Sequence, residues 1–263
     1  MPSSFRSSDI ALARRLEAAE AANGFTLARA SRGEAEAIAG GCALYAGVNS
    51  PMTHALGIGM DETVPPEEFD RLEQFFFDRG SACLIDLCPM AGLSVVEQVT
   101  RRGYRVVEFN NLMLRRIEPG LPLFTPPEGV AIRDDAPYEV WCRTMIDGFG
   151  GPDGFPPDIM ETIMPIPVIG DSLLAEIDGQ PAAAAAMSVQ AGVALLAGDA
   201  TLMWARRRGL QCALIGERLR RAAEAGCDLA MACVVPGTQS HRNYERMGFE
   251  LFYMRVNVMR PPE

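Results

Sequence analysis

Two runs in this chain recur further along at nearly one spacing. GSACLIDLCP, from Gly80, parallels GCDLAMACVVP, from Gly226, with the glycines 226 − 80 = 146 positions apart. RRGYRVVEFNNLMLR, from Arg101, parallels RMGFELFYMRVNVMR, from Arg246, with Gly103 and Gly248 separated by 248 − 103 = 145. Self-similarity over such a distance marks a duplicated domain rather than a stack of short repeats. With 263 residues, each half is long enough to bury a core of its own. Between the halves lies EPGLPLFTPPEG, Glu118 to Gly129, whose prolines and glycines can continue neither a helix nor a central strand. The expected division is therefore 1–118, a linker at 119–129, and 130–263.

In the first half, residues 9–22 are rich in helix formers and Asn23-Gly24 reads as their stop. A strand at 25–29, helices at 34–45 and 67–79, a strand at 82–87, a helix at 93–102 and strands between 105 and 115 follow from periodicity. The second half reads as a strand at 130–133, a helix at 137–147, the glycine-rich loop 148–157 and a short helix to about 164. Strands at 172–177, 182–188 and 193–202 come next, the first two joined by Asp178-Gly179, a strong hairpin signal. The fold class is α/β, with a mixed, mainly antiparallel sheet flanked by helices in each half.

Chemistry concentrates after the last of these strands. Val193 to Leu202 runs into Arg206-Arg207-Arg208-Gly209, and a helix then carries apolar Leu210, Ala213 and Leu214 at the spacing of one buried face. A helix start presents unpaired N–H groups and a partial positive charge, so it attracts phosphate. Gly209 removes the Cβ that would block the approach. Further along the same helix, Arg218, Arg220 and Arg221 are expected on the exposed face.

Arg206-x-x-Gly209-x-Gln211 resembles the Q/R-x-x-G-x-G/A signature of the GNAT superfamily of acyl-CoA N-acyltransferases. Ala200-Thr201-Leu202 looks like that family's acceptor strand, and Tyr244-Glu245-Arg246-Met247-Gly248-Phe249 resembles its YEKLGF ending. The resemblance covers roughly 128–260, and the recurrence of both runs extends it to two such domains in tandem. It departs from the pattern at Gln211, where the family carries Gly or Ala, and at Gly237, where an Asn is frequent.

The resemblance implies acetyl-CoA as cofactor, held by Thr201, Leu202, Arg206, Arg207, Arg208, Gly209, Leu210, Gln211, Cys212, Ser240 and Asn243. It implies that Tyr244 protonates the departing thiolate. Asp199, before the acceptor strand's kink, is a candidate to help deprotonate the amine. The loop between the first two helices would form the acceptor pocket, with Phe149 and Phe155 as apolar walls and Asp153 facing a small amine. A non-catalytic acyl-CoA-binding or regulatory module is the alternative, and a tandem scaffold that binds no CoA a third.

The first copy departs from the second where chemistry would be. Met60-Asp61-Glu62-Thr63-Val64-Pro65 stands opposite the arginine turn, and Val99 opposite Tyr244. Carboxylates repel a pyrophosphate and prolines lack the N–H donors, so this half reads as a degenerate copy.

A net charge of −10 argues against nucleic acid as partner. The N-terminal MPSSFRSSD has no apolar signal core, and no run approaches the ~20 apolar residues of a membrane span, so a cytoplasmic chain without a membrane partner is expected. The seven cysteines are odd in number, lack metal-ligand spacing and sit mostly in apolar runs, so they read as reduced packing residues with no metal. A homodimer is compatible with all of this.

Overall fold

The computed structural model describes residues 5–61, 63–118, 120, 124–150 and 166–262. They divide into two compact units, one running to Leu112 together with the segment from Phe252, the other from Met113 to Leu251. The expected linker lies inside the second unit.

The first unit contains α1 (Ile10–Ala30), β1 (Glu34–Ile38), β2 (Gly41–Tyr45), β3 (His54–Leu56), α2 (Pro66–Phe77), β4 (Cys83–Leu87), α3 (Leu93–Arg101) and the first part of β5 (Arg105–Arg116). Its strands follow the order β1-β2-β3-β4, and beside β4 lies β11 (Glu250–Arg260), whose Val256 pairs with Leu87 and Arg260 with Cys83. The segment from Phe252 thus completes the first unit from outside residues 1–118. Phe69, Leu72 and Phe76 of α2 recur at helical spacing and are fully buried against Ile85, Val95 and Val258. Burying each such side chain contributes roughly 1.5–3 kcal/mol.

Three readings in this unit are corrected. The helix does not stop at Asn23-Gly24, and residues 25–29 continue it. Gly24 is buried where an added Cβ would come 3.1 Å from Cys42 Sγ, so close packing on β2 explains the glycine. Residues 34–45 form the β1–β2 hairpin instead of a helix. Ala39 and Gly40, both at positive φ, make its two-residue turn, which the helix-forming composition concealed.

A buried ionic network joins α1 to β11. Glu17 Oε1 accepts from Tyr253 Oη at 2.6 Å and from Arg255 Nε and Nη2 at 3.0 and 2.8 Å, and Arg255 also pairs with Glu20. Nearby, Asn257 Nδ2 donates to Asp86 Oδ1 at 3.0 Å, and Asp86 Oδ2 lies 3.2 Å from His54 Nδ1. Burial pulls the His54 imidazole pKa down, but the Asp86 carboxylate, its hydrogen bond and Glu20 outweigh that and raise it. His54 therefore stabilises the fold fully below its unfolded pKa, about 6.5, and that contribution is lost as pH rises through the higher folded value. The stability of the parent over His54→Gln, measured by urea unfolding, is expected to be largest below about pH 6 and to shrink at alkaline pH. A His54 ring titrating at or below 6.5 by NMR would contradict this.

The second unit contains the end of β5, β6 (Val130–Arg133), α4 (Tyr138–Phe149), the one-turn α5 (Ile166–Ile169), β7 (Asp171–Ile177), β8 (Gln180–Gln190), β9 (Val193–Thr201), α6 (Leu210–Glu224), β10 (Leu229–Val234) and α7 (Gln239–Arg246). Its strand order is β5-β10-β9-β8-β7-β6. Asp178 and Gly179 at φ 51° and 76° form the β7–β8 turn where the sequence places it. Ala182 to Ala186 are all buried, and these small side chains let α4 pack close on one face of β8 and α6 on the other. Five cysteines are buried, Cys212 is half-buried and Cys233 exposed; burial pushes the Cys42, Cys83 and Cys88 thiols up to about 12. No helix among the described residues is long and apolar enough to cross a membrane.

Candidate functional site

β9 and β10 run parallel but share three pairs only, Leu229 with Val193, Ala230 with Ala194 and Met231 with Leu195. Beyond Leu195, the ladder of β9 continues with β8 alone. The strands thus part inside the sheet. Where they part, β9 carries a bulge: Ala186 pairs with Ala197 and Ala184 with Ala200, so Gly198 and Asp199 together oppose Ala185. Gly198 adopts φ 68°, and a Cβ there would meet Met145 Cε of α4 at 2.8 Å. On that face Trp141 Nε1 of α4 donates to the Ala185 carbonyl at 3.3 Å.

Past Thr201, a single 3-10 turn, Met203–Ala205, leads to the arginines and into α6. Gly209, the N-cap, adopts φ 76° and provides no side-chain cap, while Ala213 N–H already bonds the Gly209 carbonyl. The amides of Leu210, Gln211 and Cys212 precede the first i−4 acceptor, as at any uncapped helix start. Arg207 is also at positive φ, 65°.

The three arginines divide their work. Arg206 donates from Nε to the Thr201 carbonyl at 3.3 Å and from Nη2 to Gly148 at 3.2 Å, tying the end of β9 to α4. Arg208 lies 5.9 Å from the Trp204 ring centroid, and Arg207 is exposed. Gln211 spans from α6 to α7: its Nε2 donates to Ser240 Oγ at 2.8 Å and its Oε1 accepts from Asn243 Nδ2 at 2.7 Å. The position at which the signature departs is thus the one that links Ser240 and Asn243.

Tyr244 and Asp199, separated by 45 residues, form one pair: Tyr244 Oη donates to Asp199 Oδ2 at 2.5 Å. Tyr244 is 0% exposed, its ring edge-on to Phe249 at 4.9 Å. The other oxygen, Asp199 Oδ1, accepts from Arg218 Nη2. Burial first, and then the Asp199 charge, raise the Tyr244 pKa well above 10, with Arg218 opposing. Burial alone would lower the Arg218 pKa; the Asp199 and Tyr244 oxygens outweigh it and keep the guanidinium charged.

Arg218 is the member of this cluster that the sequence reading placed elsewhere. It is 0% exposed, not on the solvent face. The signal was present: position 218 lies four after Leu214 and eight after Leu210, on the buried stripe of α6.

Phe149 ends α4 and is 52% exposed. It adjoins Gly148, which has no room for a Cβ, with the Thr201 nitrogen at 2.9 Å. Asp153 and Phe155 lie outside the described residues.

No family model matches the chain, and no curated protein does. Solved structures match well. A GCN5-related N-acetyltransferase from Kribbella flavida aligns over 95% of this chain and 96% of its own at TM-score 0.70 and 21% identity. The fold is that of a GCN5-related N-acetyltransferase. Another GNAT structure, from Sphaerobacter thermophilus, shares it at TM-score 0.55 and 19% identity over 69% of this chain and 60% of its own. A tandem GNAT protein from the clavulanic acid biosynthesis pathway does so at TM-score 0.58 and 10% identity over 81% and 76%.

The first unit differs at the positions that stand opposite the arginine turn and Tyr244 in sequence. β3 and β4 are also parallel and share one pair, Ala55 with Ile85. The helix that follows, α2, begins with Pro65 as N-cap and Pro66 within it, and Glu67 and Glu68 occupy its first turn. Glu68 Oε2 accepts the Ala39 amide at 2.9 Å, and Asp61 pairs with Arg14 at 2.9 Å. Glu62 is outside the described residues. Val99, opposite Tyr244 in sequence, is a buried apolar residue of α3.

Proposed function

We propose that the protein is an N-acyltransferase that moves an acetyl group from acetyl-CoA to a small amine, with residues 130–263 as the CoA-binding copy and 1–118 as a degenerate one. The observation that carries this reading is the parting of β9 and β10 beside an uncapped helix start. The pyrophosphate sits on the amides of Arg207 to Cys212. The amide-bearing pantetheine arm lies along the freed edge of β9 near Thr201 and Leu202, adding its hydrogen bonds as a strand would. Ser240 and Asn243 flank the arm, and Arg207 and Arg208 supply the local positive field.

In the reaction the amine attacks the thioester carbonyl, a C–N bond forms and the C–S bond breaks. The amine sheds one proton and the thiolate gains one. The Tyr244 phenol gives its proton to the thiolate, and Asp199, which takes the amine's proton through water, returns one proton to the phenolate. Phe149, Asp153 and Phe155 border the acceptor. A cytoplasmic setting, with no nucleic-acid partner and the chain as a homodimer, belongs to the same reading.

A second reading, a non-catalytic acyl-CoA-binding module, is favoured by the engagement of the Tyr244 hydroxyl with Asp199. Calorimetry with CoA, followed by thiol release from acetyl-CoA in the presence of an amine panel, decides between them. Binding with release supports the transferase, and binding without release supports the module. Absence of binding heat sinks both.

A further inference from the structure

The Arg218 guanidinium lies where α6 crosses the β8–β9 ladder at the bulge. Its Nε donates to the Leu214 carbonyl of its own helix at 3.1 Å. Its Nη1 donates to Ala186 at 3.1 Å and to Ala197 at 3.2 Å, the last regular pair of β8 and β9 before the bulge. Its Nη2 holds Asp199, the bulged residue, which holds the Tyr244 hydroxyl. A fully buried cation is costly unless paired and hydrogen-bonded, and leucine or methionine would fill such a helix face more cheaply. This one is bonded to one carbonyl of its own helix and to three groups of β8 and β9, those three at the bulge.

We propose that Arg218 is a positioning residue for acetyl transfer, acting through Asp199 on the Tyr244 hydroxyl. The proposal rests on the transferase reading above. Two features separate this role from plain packing. A lysine has one point charge and cannot reproduce the planar fork that reaches three carbonyls and a carboxylate at once. In addition, Asp199 accepts from a single hydroxyl, that of Tyr244, so the effect of Arg218 on turnover should require that hydroxyl. Arg218 also lies eight residues from Leu210, about 12 Å along α6 at ~1.5 Å per residue, so one rigid helix carries both the phosphate turn and this anchor.

The test is a double-mutant cycle with acetyl-CoA and the best amine of the panel. Arg218→Lys is expected to lower kcat by roughly tenfold while the Kd for CoA, from calorimetry, stays within about twofold. In a Tyr244→Phe background the same change is expected to lower kcat less than about twofold further. Equal losses in both backgrounds, or loss of CoA affinity in step with kcat, overturn the proposal and leave Arg218 a packing residue. Should Arg218→Lys not fold, Arg218→Gln, which keeps a donor for the Asp199 carboxylate, takes its place in the same cycle with the same expected and overturning outcomes. A parent that binds CoA but releases no thiol with any amine removes the transferase reading and this role together, which is distinct from an active parent with additive variants.

Discussion

Replacing Gly209 by valine is expected to weaken CoA binding by at least about tenfold, or roughly 1.4 kcal/mol. Gly209 adopts φ 76°, where an L side chain costs roughly 1–2 kcal/mol and a β-branched one is a genuine outlier. A Cβ there would also come 3.2 Å from Pro127 Cγ. Valine thus opposes the turn that presents the α6 amides and narrows the space before them. Gly209→Asn separates the two effects, because asparagine tolerates the left-handed region. It should fold at nearly the parental Tm and still bind CoA more weakly. Calorimetry beside thermal melts checks this: parental affinity in both variants would move the phosphate site away from the turn.

The second large effect belongs to Tyr244→Phe, for which kcat is expected to fall by roughly tenfold or more with the CoA Kd unchanged. Phenylalanine keeps the ring and its edge-on contact with Phe249, so the loss isolates the hydroxyl. Asp199 Oδ2 loses its donor, which costs about 1–3 kcal/mol of stability for a buried acceptor left unpaired. A lower Tm with unchanged kcat would give the hydroxyl a structural role only and pass the thiolate's proton to water. A lower kcat at unchanged CoA Kd, with or without a lower Tm, identifies the phenol as part of the chemistry.

Much of the second unit was legible because its signals are local. Asp178-Gly179 requires a tight turn, Gly209 requires positive φ, and the apolar run 193–202 is bounded on both sides. The first unit was read less well, since its boundaries depend on neighbours. Gly24 lies within a helix because β2 presses against it, and Glu34 to Tyr45 form a hairpin because Ala39-Gly40 turns, although their composition favours a helix. At the candidate site, Tyr244 and Asp199 were each identifiable, but their bond spans 45 residues and no spacing rule announces it. Arg218 was hidden by its chemistry: arginines are mostly exposed, so its place on the buried stripe was outweighed by its charge.

The first unit's strand β4 is flanked by residues 256–260, and the buried Glu17 waits for Arg255, 238 positions later. During synthesis the N-terminal residues emerge from the ribosome long before those partners exist. At ~5–20 residues per second the interval is on the order of ten seconds or more. Through that interval the carboxylate of Glu17 has no guanidinium and one edge of β4 has no neighbour, the condition in which strand edges recruit other chains. The unit encoded first is thus the one completed last, and residues 252–262 act as its closing stitch.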